Sequence, residues 1–170
     1  MTKLKQIIAA AALALALGAV PAAVHAAASD EAKIRDLEAR YAAAFNAKDV
    51  DAIMKVYVPG PGLVVFDVVP PRQYVGQEAY RKDWQDFLAT LKGPLKFEIN
   101  DLAIRADRTL AYSHSIQHVT GTDTTGQPID LTVRVSDVYR KIKGQWLIEH
   151  EHVSVPVDLA TGKPDLASKP

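Results

Sequence analysis

The most chemically suggestive pair in the 170-residue sequence is a histidine and an aspartate on two neighbouring predicted strands. Residues 109–141 are typical of a β-hairpin, and centring its turn after Thr124 makes His114 and Asp137 diagonal neighbours on one sheet face. An aspartate on a mainly apolar face is costly unless it is paired or protonated. Asp137 has two interpretations. In the functional one it is a pocket carboxyl that is held neutral as a hydrogen-bond donor or orients His114 for acid–base chemistry. In the structural one it belongs to a buried ion pair or lies at a strand edge in contact with solvent.

The face that carries this pair is the more apolar side of the predicted hairpin. Its other members are Leu110, Tyr112, Ile116, His118, Val133, Val135 and Tyr139. Among them, Tyr112, His118 and Tyr139 are predicted ligand contacts. The opposite face is polar, which is typical of a surface that contacts solvent or another subunit. It carries Ser113, Ser115, Gln117, Arg134, Ser136 and Arg140.

The stretch WLIEHEHVSVP, residues 146–156, allows two registers for the last predicted strand. With a two-residue turn before it, Trp146, Ile148 and His150 face the pocket, whereas a three-residue loop with a bulge turns Glu149 and Glu151 inward. The bulky apolar side chains favour the first register, which makes His150 a predicted ligand contact.

Neither a metal nor a cofactor is predicted. His150 and His152 stand side by side on one strand, but a zinc site needs three or four ligands, so a hydrogen-bonded histidine ladder is favoured. The sequence contains no Cys, no Gly-rich phosphate loop and no HExxH or GxSxG motif. Its 20 basic and 20 acidic residues form no basic cluster, so nucleic acid is excluded as an expected partner.

The N-terminal residues 1–26 have the three parts of a secretory signal peptide. Lys3 and Lys5 precede an apolar run from Ile7 to Val20, and small residues end at Ala26 as a cleavage site. We expect a periplasmic or secreted protein that has no membrane association after cleavage, with one domain over residues 27–156 and a flexible tail over 157–170.

The remaining pattern places helices before strands. Apolar spacing predicts a helix from Asp30 to Ala47, a short second helix capped by Asp49, and a third helix after Gly76. A short β-rich run, 63–67, lies between the second and third helices, and four further β-type runs follow over 96–106, 109–120, 129–141 and 145–155. This order predicts an α+β cone, in which a strongly curved antiparallel sheet wraps over about three N-terminal helices and leaves a small-molecule pocket at its mouth.

Several stretches carry a resemblance to the nuclear transport factor 2-like superfamily. They are RYAAAFNAKDVDAI (40–53), the strand that ends in Phe66 and Asp67, VSDVYRKIKGQW (135–146) and HEHVS (150–154). The superfamily includes ketosteroid isomerase, SnoaL-like polyketide cyclases, scytalone dehydratase and the association domain of calcium/calmodulin-dependent kinase II. The resemblance covers roughly residues 31–156 and implies the cone-shaped fold.

The likeness to ketosteroid isomerase implies roles for three residues. Tyr41 resembles its first-helix tyrosine, Asp67 its base, and Asp137 its protonated acid. The implied activity is that of an isomerase, dehydratase or cyclase, in which Asp67 removes a proton next to a carbonyl, Tyr41 with Asp137 stabilises the oxyanion, and His114 tunes or relays.

The alternative is a ligand-binding or oligomerising module of the same fold without turnover. In that interpretation Tyr80 and Trp84 are aromatic walls of the pocket. For Trp84 the alternative is plain packing in the core. In both interpretations the expected ligand is small and apolar or carbonyl-containing, and a homodimer is expected by analogy.

Overall fold

A curved sheet over helices organises residues 22–168, the part of the chain that this computed structural model describes, with side chains described from residue 30 onward. The helices are α1 Ala22–Ala47, α2 Val50–Met54 and α3 Gln77–Ala89. The strands are β1 Val64–Phe66, β2 Tyr74–Val75, β3 Leu91–Ala106, β4 Leu110–Asp123, β5 Pro128–Ile142 and β6 Gln145–Ser154. The predicted α+β architecture is confirmed.

Within the described residues the strands form one six-stranded sheet in the order β2-β1-β6-β5-β4-β3. Neighbouring strands run antiparallel except β1, which pairs in parallel with β6. The long strands β3 to β6 form a meander, because each connection is short enough for a hairpin. The concave face of the sheet packs on α1 and α3 and encloses the core.

Helix α1 presents one apolar stripe to this core. Ile34, Leu37, Tyr41 and Phe45 are all buried, at the spacing of one helical face. The helix begins at Ala22 rather than at Asp30 and passes through Ala26, the predicted cleavage site. Most of the predicted signal peptide lies outside the described residues, and no helix within residues 22–168 is long and apolar enough to cross a membrane.

Local capping explains the next helix. Asp49 accepts a hydrogen bond from the backbone nitrogen of Ala52 at 2.9 Å, so the predicted cap of α2 is confirmed. Helix α3 begins directly after Gly76, as predicted, and buries Tyr80, Trp84 and Leu88.

The register of β4 on β5 differs by one residue from the prediction. Ser113 stands opposite Asp137, and His114 stands opposite Ser136. Five residues, 123–127, lie between the last strand pair, Thr122 with Pro128, and this odd number sets the register. The carboxylate of Asp123 accepts hydrogen bonds from the backbone nitrogens of Thr125 and Gln127 and holds the loop closed. A slip of one residue exchanges the two faces of a strand, so the predicted pairing of His114 with Asp137 on one face is wrong.

Strand β6 combines the two registers that the sequence allowed. A two-residue turn at Lys143 and Gly144 brings Ile148 opposite Tyr139, but a bulge at Glu149 then brings His150 opposite Val138. Trp146 and Ile148 face the core before this bulge. After it the inward positions belong to Glu151 and Val153, and Glu151 is buried opposite Asp137.

The segment after β6 lies back on the sheet. Val157 pairs with Pro164, and the backbone nitrogen of Thr132 on β5 donates to the carbonyl of Leu166 at 2.8 Å. The flexibility expected for residues 157–170 stays a prediction.

The turn before β6 generates a stability prediction. Gly144 has a φ of +84° with open space around its Cα, so Gly144→Ala should lower the free energy of unfolding by about 1 kcal/mol through backbone strain alone. Gly62 is the matched control, since it also has open space but no such φ, and Gly62→Ala should change stability little. Urea denaturation measures both, and equal losses in the two variants would contradict the turn conformation.

Candidate active site

A cavity of about 140 Å³ lies between α1, α3 and the concave face of the sheet. Its wall is mainly aromatic and aliphatic. The apolar lining consists of Phe45, Val68, Val69, Trp84, Phe87, Phe97, Val119, Leu131, Val133 and Val153, with the rings of Tyr41 and Tyr80. A buried apolar cavity of about 150 Å³ holds a benzene molecule, so this one suits a ligand with a single six-membered ring.

The polar groups of the cavity centre on a tyrosine between two carboxyls. The Tyr80 hydroxyl donates to Oε1 of Glu151 at 2.6 Å and lies 3.5 Å from Oδ2 of Asp67. All three residues line the cavity. A proton can therefore pass between the two carboxyls and the phenol at the wall of an apolar space.

Strand pairing brings these three residues together. Val65 on β1 stands beside Glu151 on β6, and Asp67 follows two residues later on the same side of the chain. Tyr80 reaches both from the buried side of α3. The site is thus held by two strands and one helix.

Glu151 is the most constrained member of the site. The Tyr57 hydroxyl donates to its Oε2 at 2.9 Å, so each carboxyl oxygen has a tyrosine partner. Burial raises the pKa of Glu151 to about 7, against the lowering effect of the hydrogen bond from Tyr80, and the nearby charge of Asp67 adds to the rise. Glu151 therefore changes protonation state near neutral pH.

Asp67 is placed at the end of β1 with its carboxylate at the cavity wall. Burial raises its pKa, and hydrogen bonds from the backbone nitrogens of Val68 and Val69 act in the opposite direction. A carboxylate with a raised pKa in an apolar cavity is a stronger base than one in water.

A second buried carboxyl cluster lies beside the cavity, outside its lining. The Tyr139 hydroxyl donates to Oε1 of Glu38 at 2.7 Å and lies 2.8 Å from Oγ of Ser113. Ser113 in turn donates to Oδ2 of Asp137 at 3.2 Å. Within the described part of the chain, Oδ1 of Asp137 has no hydrogen-bond partner.

Burial dominates the electrostatics of this second cluster. It raises the pKa of Asp137 well above the ordinary value, and the neighbouring charges of Glu38 and Glu151 add to this rise. Burial likewise raises the pKa of Glu38 to about 7. At least one of these carboxyls is protonated at neutral pH, because two like charges in such a low-dielectric region repel strongly.

The structure brings together some of the predicted site residues. Tyr41, Asp67, Tyr80 and Trp84 line the cavity. Asp137 and Tyr139 are buried on the same sheet face but belong to the second cluster. Tyr41 packs edge-on against Trp84 and Phe97 in the cavity, whereas Asp137 contacts Ser113, so the predicted oxyanion pair of Tyr41 with Asp137 is not formed in this geometry.

The remaining predicted residues lie on the other face of the sheet. Tyr112 and His114 are exposed, because the odd-length loop between β4 and β5 reverses the faces. His118 on the same face pairs with Asp130 at 2.7 Å. Nδ1 of His150 lies 2.8 Å from the carbonyl of Val64, since the bulge at Glu149 turns its side chain away from the cavity.

Sequence reasoning missed Glu151 and Glu38. Glu151 faces inward in only one of the two registers that the sequence allows for β6. The bulky apolar side chains of that strand favoured the other register. Glu38 stands four residues after Ile34 and three before Tyr41, so the helical spacing already placed it on the core face. In residues 22–168 no group of three or more His, Asp or Glu side chains is arranged to hold a metal ion.

The fold and the cavity define a nuclear transport factor 2-like domain, and comparisons with known proteins agree. A nuclear transport factor 2-like protein of unknown function from Pseudomonas putida KT2440 is 30% identical, with a TM-score of 0.75 over 84% of this chain and 98% of that one. Residues 34–158 match the model of the SnoaL-like domain, and the chain therefore belongs to the SnoaL-like domain family.

Two further structures share the fold. A Xanthomonas campestris protein, proposed to be a calcium/calmodulin-dependent protein kinase II association domain, is 27% identical with a TM-score of 0.61, covering 75% of this chain and 86% of that one. A Novosphingobium aromaticivorans protein, proposed to be a scytalone dehydratase, is 16% identical with a TM-score of 0.68, covering 76% and 86%. A search of curated proteins found no match to this sequence.

The buried carboxyls generate a prediction about pH and stability. The pKa of Glu38 rises from 4.5 to about 7 on folding, so the folded state holds a proton that the unfolded state has already released. The resulting stability is fully present below pH 4.5 and is lost as the pH rises towards 7, by roughly 3 kcal/mol for a carboxyl with this shift.

Glu38→Gln should therefore make the free energy of unfolding fall less steeply between pH 4.5 and pH 7 than in the wild type. Glu78→Gln, at an exposed glutamate of α3, should keep the wild-type slope. Urea denaturation at a series of pH values measures these slopes. A wild-type stability that rises over this range would contradict the protonated, buried state of Glu38.

Proposed function

We propose that the cavity binds a neutral, one-ring carbonyl compound and that Asp67, Tyr80 and Glu151 catalyse proton transfer next to its carbonyl group. The observation that carries this proposal is the Tyr80 hydroxyl, 2.6 Å from Glu151 and 3.5 Å from Asp67 at the wall of an apolar cavity. The volume of about 140 Å³ supports a single ring, and the three carboxyl residues of the lining, Asp67, Asp83 and Glu151, disfavour an anionic ligand.

Asp67 acts as the base in this mechanism. It removes a proton from the carbon between the carbonyl and the double bond of a β,γ-unsaturated ketone, and the electron pair is delocalised onto the carbonyl oxygen as a dienolate. The same carboxyl then returns the proton to the γ carbon while the double bond moves into conjugation, which completes an isomerisation without net loss or gain of atoms.

Tyr80 donates a hydrogen bond to the enolate oxygen, with Glu151 behind it. When Glu151 is protonated, it donates to the Tyr80 hydroxyl and leaves the phenolic proton free to face the ligand. This assignment gives Tyr80 and Glu151 the roles that the resemblance implied for Tyr41 and Asp137. The geometry favours the change because Tyr80 and Glu151 touch each other and line the cavity.

The proposed mechanism predicts the effect of three substitutions on the conversion of cyclohex-3-en-1-one to cyclohex-2-en-1-one, followed by the absorbance of the conjugated product. Asp67→Asn should reduce kcat by about 10²- to 10⁴-fold, since it removes the base. Tyr80→Phe should reduce kcat by about 10²- to 10³-fold through the loss of one oxyanion donor. Asp137→Asn is the matched control, because this buried carboxyl does not line the cavity, and it should retain wild-type kcat within a few fold.

Normal turnover in Tyr80→Phe together with a large loss in Asp137→Asn would contradict these roles. Binding of cyclohexanone by the wild type, seen as NMR shifts of Trp84 and Phe97, without turnover of the enone would instead identify a ligand-binding module. The structural likeness to a protein proposed to be a kinase association domain supports binding without turnover as the alternative function.

The pH profile tests Glu151 separately. The wild-type rate should fall above pH 7, because the pKa of Glu151 is raised to about 7 and only its protonated form frees the proton of Tyr80. Glu151→Gln keeps a hydrogen-bond donor but cannot ionise, so its rate should stay level through this range. If the rate of Glu151→Gln also fell above pH 7, this fall would be due to the titration of a different group.

We further propose that the chain is exported and forms a homodimer. The signal-like pattern of residues 1–26 supports export, and the exposed Leu110 and Tyr112 on the outer sheet face support a subunit contact. When the full chain is expressed in a Gram-negative bacterium, the periplasmic product should begin at Ala27 by mass spectrometry and have twice its chain mass by light scattering. An unprocessed or monomeric product would contradict the corresponding half of this proposal.

A further inference from the structure

The side chain of Gln117 is an unpaired polar group on the floor of the cavity. It lies on the concave face of β4 and is only 5% exposed, yet its carboxamide makes no hydrogen bond to any other residue of the described chain. Its strand neighbours on this face are Ser115 and Val119. The cavity is otherwise apolar around it, since Val133 stands opposite on β5 and Ile99 opposite on β3.

Packing alone does not explain a carboxamide at this position. Its nitrogen and oxygen are not among the fully enclosed polar atoms that lack a partner, so they open into the cavity, where Leu or Met would fill the same space and match the apolar wall. A ligand polar group in the cavity would supply the partner that the carboxamide lacks.

The position of Gln117 separates it from the proposed reaction centre. Glu151 stands opposite Asp137 on β5, and Val133, which stands opposite Gln117, is four residues further along that strand. The backbones of Glu151 and Gln117 are thus offset by roughly 13 Å along the strands and about 10 Å across them. The two polar regions therefore face the cavity from different ends.

We infer that Gln117 is a specificity-determining residue that hydrogen-bonds a second polar group of the ligand. The ligand class is then a six-membered ring with a carbonyl at the end near Asp67 and Tyr80, and a carbonyl or hydroxyl group at the opposite ring position. The carboxamide can donate to a carbonyl and can both donate to and accept from a hydroxyl. This inference rests on the proposed function, because it takes the reacting carbonyl to lie near Tyr80.

A matched pair of probes tests the inference. Cyclohexanone and cyclohexane-1,4-dione have the same ring and no charge, and they differ in the second carbonyl. Wild-type protein should bind the dione about tenfold more tightly than cyclohexanone in an NMR titration: about fivefold from one net hydrogen bond, and about twofold because either of its two equivalent carbonyls can lie near Tyr80. Gln117→Met, which keeps the size and removes the amide, should reduce this preference to the statistical value of about two.

Ser115→Ala is the matched control. Ser115 lies two residues from Gln117 on the same buried face, and its hydroxyl also lacks a partner in the described chain, but it does not line the cavity. This variant should keep the wild-type preference of about tenfold. The side-chain amide resonances of wild-type Gln117 should shift on addition of the dione and not on addition of cyclohexanone, a result that does not depend on any variant folding.

The outcomes separate the inference from the proposed function. A wild-type preference of only about twofold, or a tenfold preference that survives in Gln117→Met, would overturn the role of Gln117 while leaving the reaction at Asp67 intact. Failure of the wild type to bind either ketone would overturn both.

Discussion

Everything at this site depends on Glu151 being buried between two phenols. Its carboxyl accepts hydrogen bonds from Tyr57 and Tyr80 under the concave face of the sheet, and it is 3% exposed. A carboxyl in such a place is tolerated only because both oxygens have partners and because it can hold a proton near neutral pH. The bulge at Glu149 is what turns it inward, so one extra residue in one strand creates the chemistry of the cavity.

The concave face carries two carboxyl clusters with different relations to the cavity. Asp67 and Glu151 touch the space where a ligand would lie, whereas Glu38 and Asp137 are joined through Tyr139 and Ser113 beside it. The second cluster influences the first through charge, since Glu38 contributes to the raised pKa of Glu151. This division explains why a buried aspartate on β5 is not by itself evidence of a catalytic role.

Much of the fold could be predicted from the sequence. The helical spacing of α1, the cap at Asp49 and the change to strand periodicity after α3 are local patterns, and they predict the α+β cone. The superfamily followed from a resemblance in particular stretches such as VSDVYRKIKGQW (135–146). Asp67, Tyr80 and Trp84 line the cavity, and their directions follow from local patterns, because Asp67 directly follows β1 and the other two lie on the buried side of α3. The register of the long strands was beyond such reasoning.

Two single-residue features decided that register. The carboxylate of Asp123 closes an odd-length loop, and the bulge at Glu149 shifts the second half of β6. Each feature exchanges the faces of a strand relative to the prediction. His114 was therefore expected in the pocket but lies at the surface, and Glu151, which was expected to face outward, lies in the site. Whether a loop has an odd or an even number of residues, and where a bulge lies, depends on how whole strands pair. Local sequence patterns do not determine this pairing.

The most direct test of this account is a titration of the Glu151 side-chain carboxyl, followed by its ¹³C chemical shift in the ligand-free protein. The account predicts a midpoint near pH 7, in keeping with the pKa of about 7 that burial between Tyr57 and Tyr80 produces. A midpoint at the ordinary glutamate value of 4.5 would show a solvated carboxyl and contradict the central role of this residue.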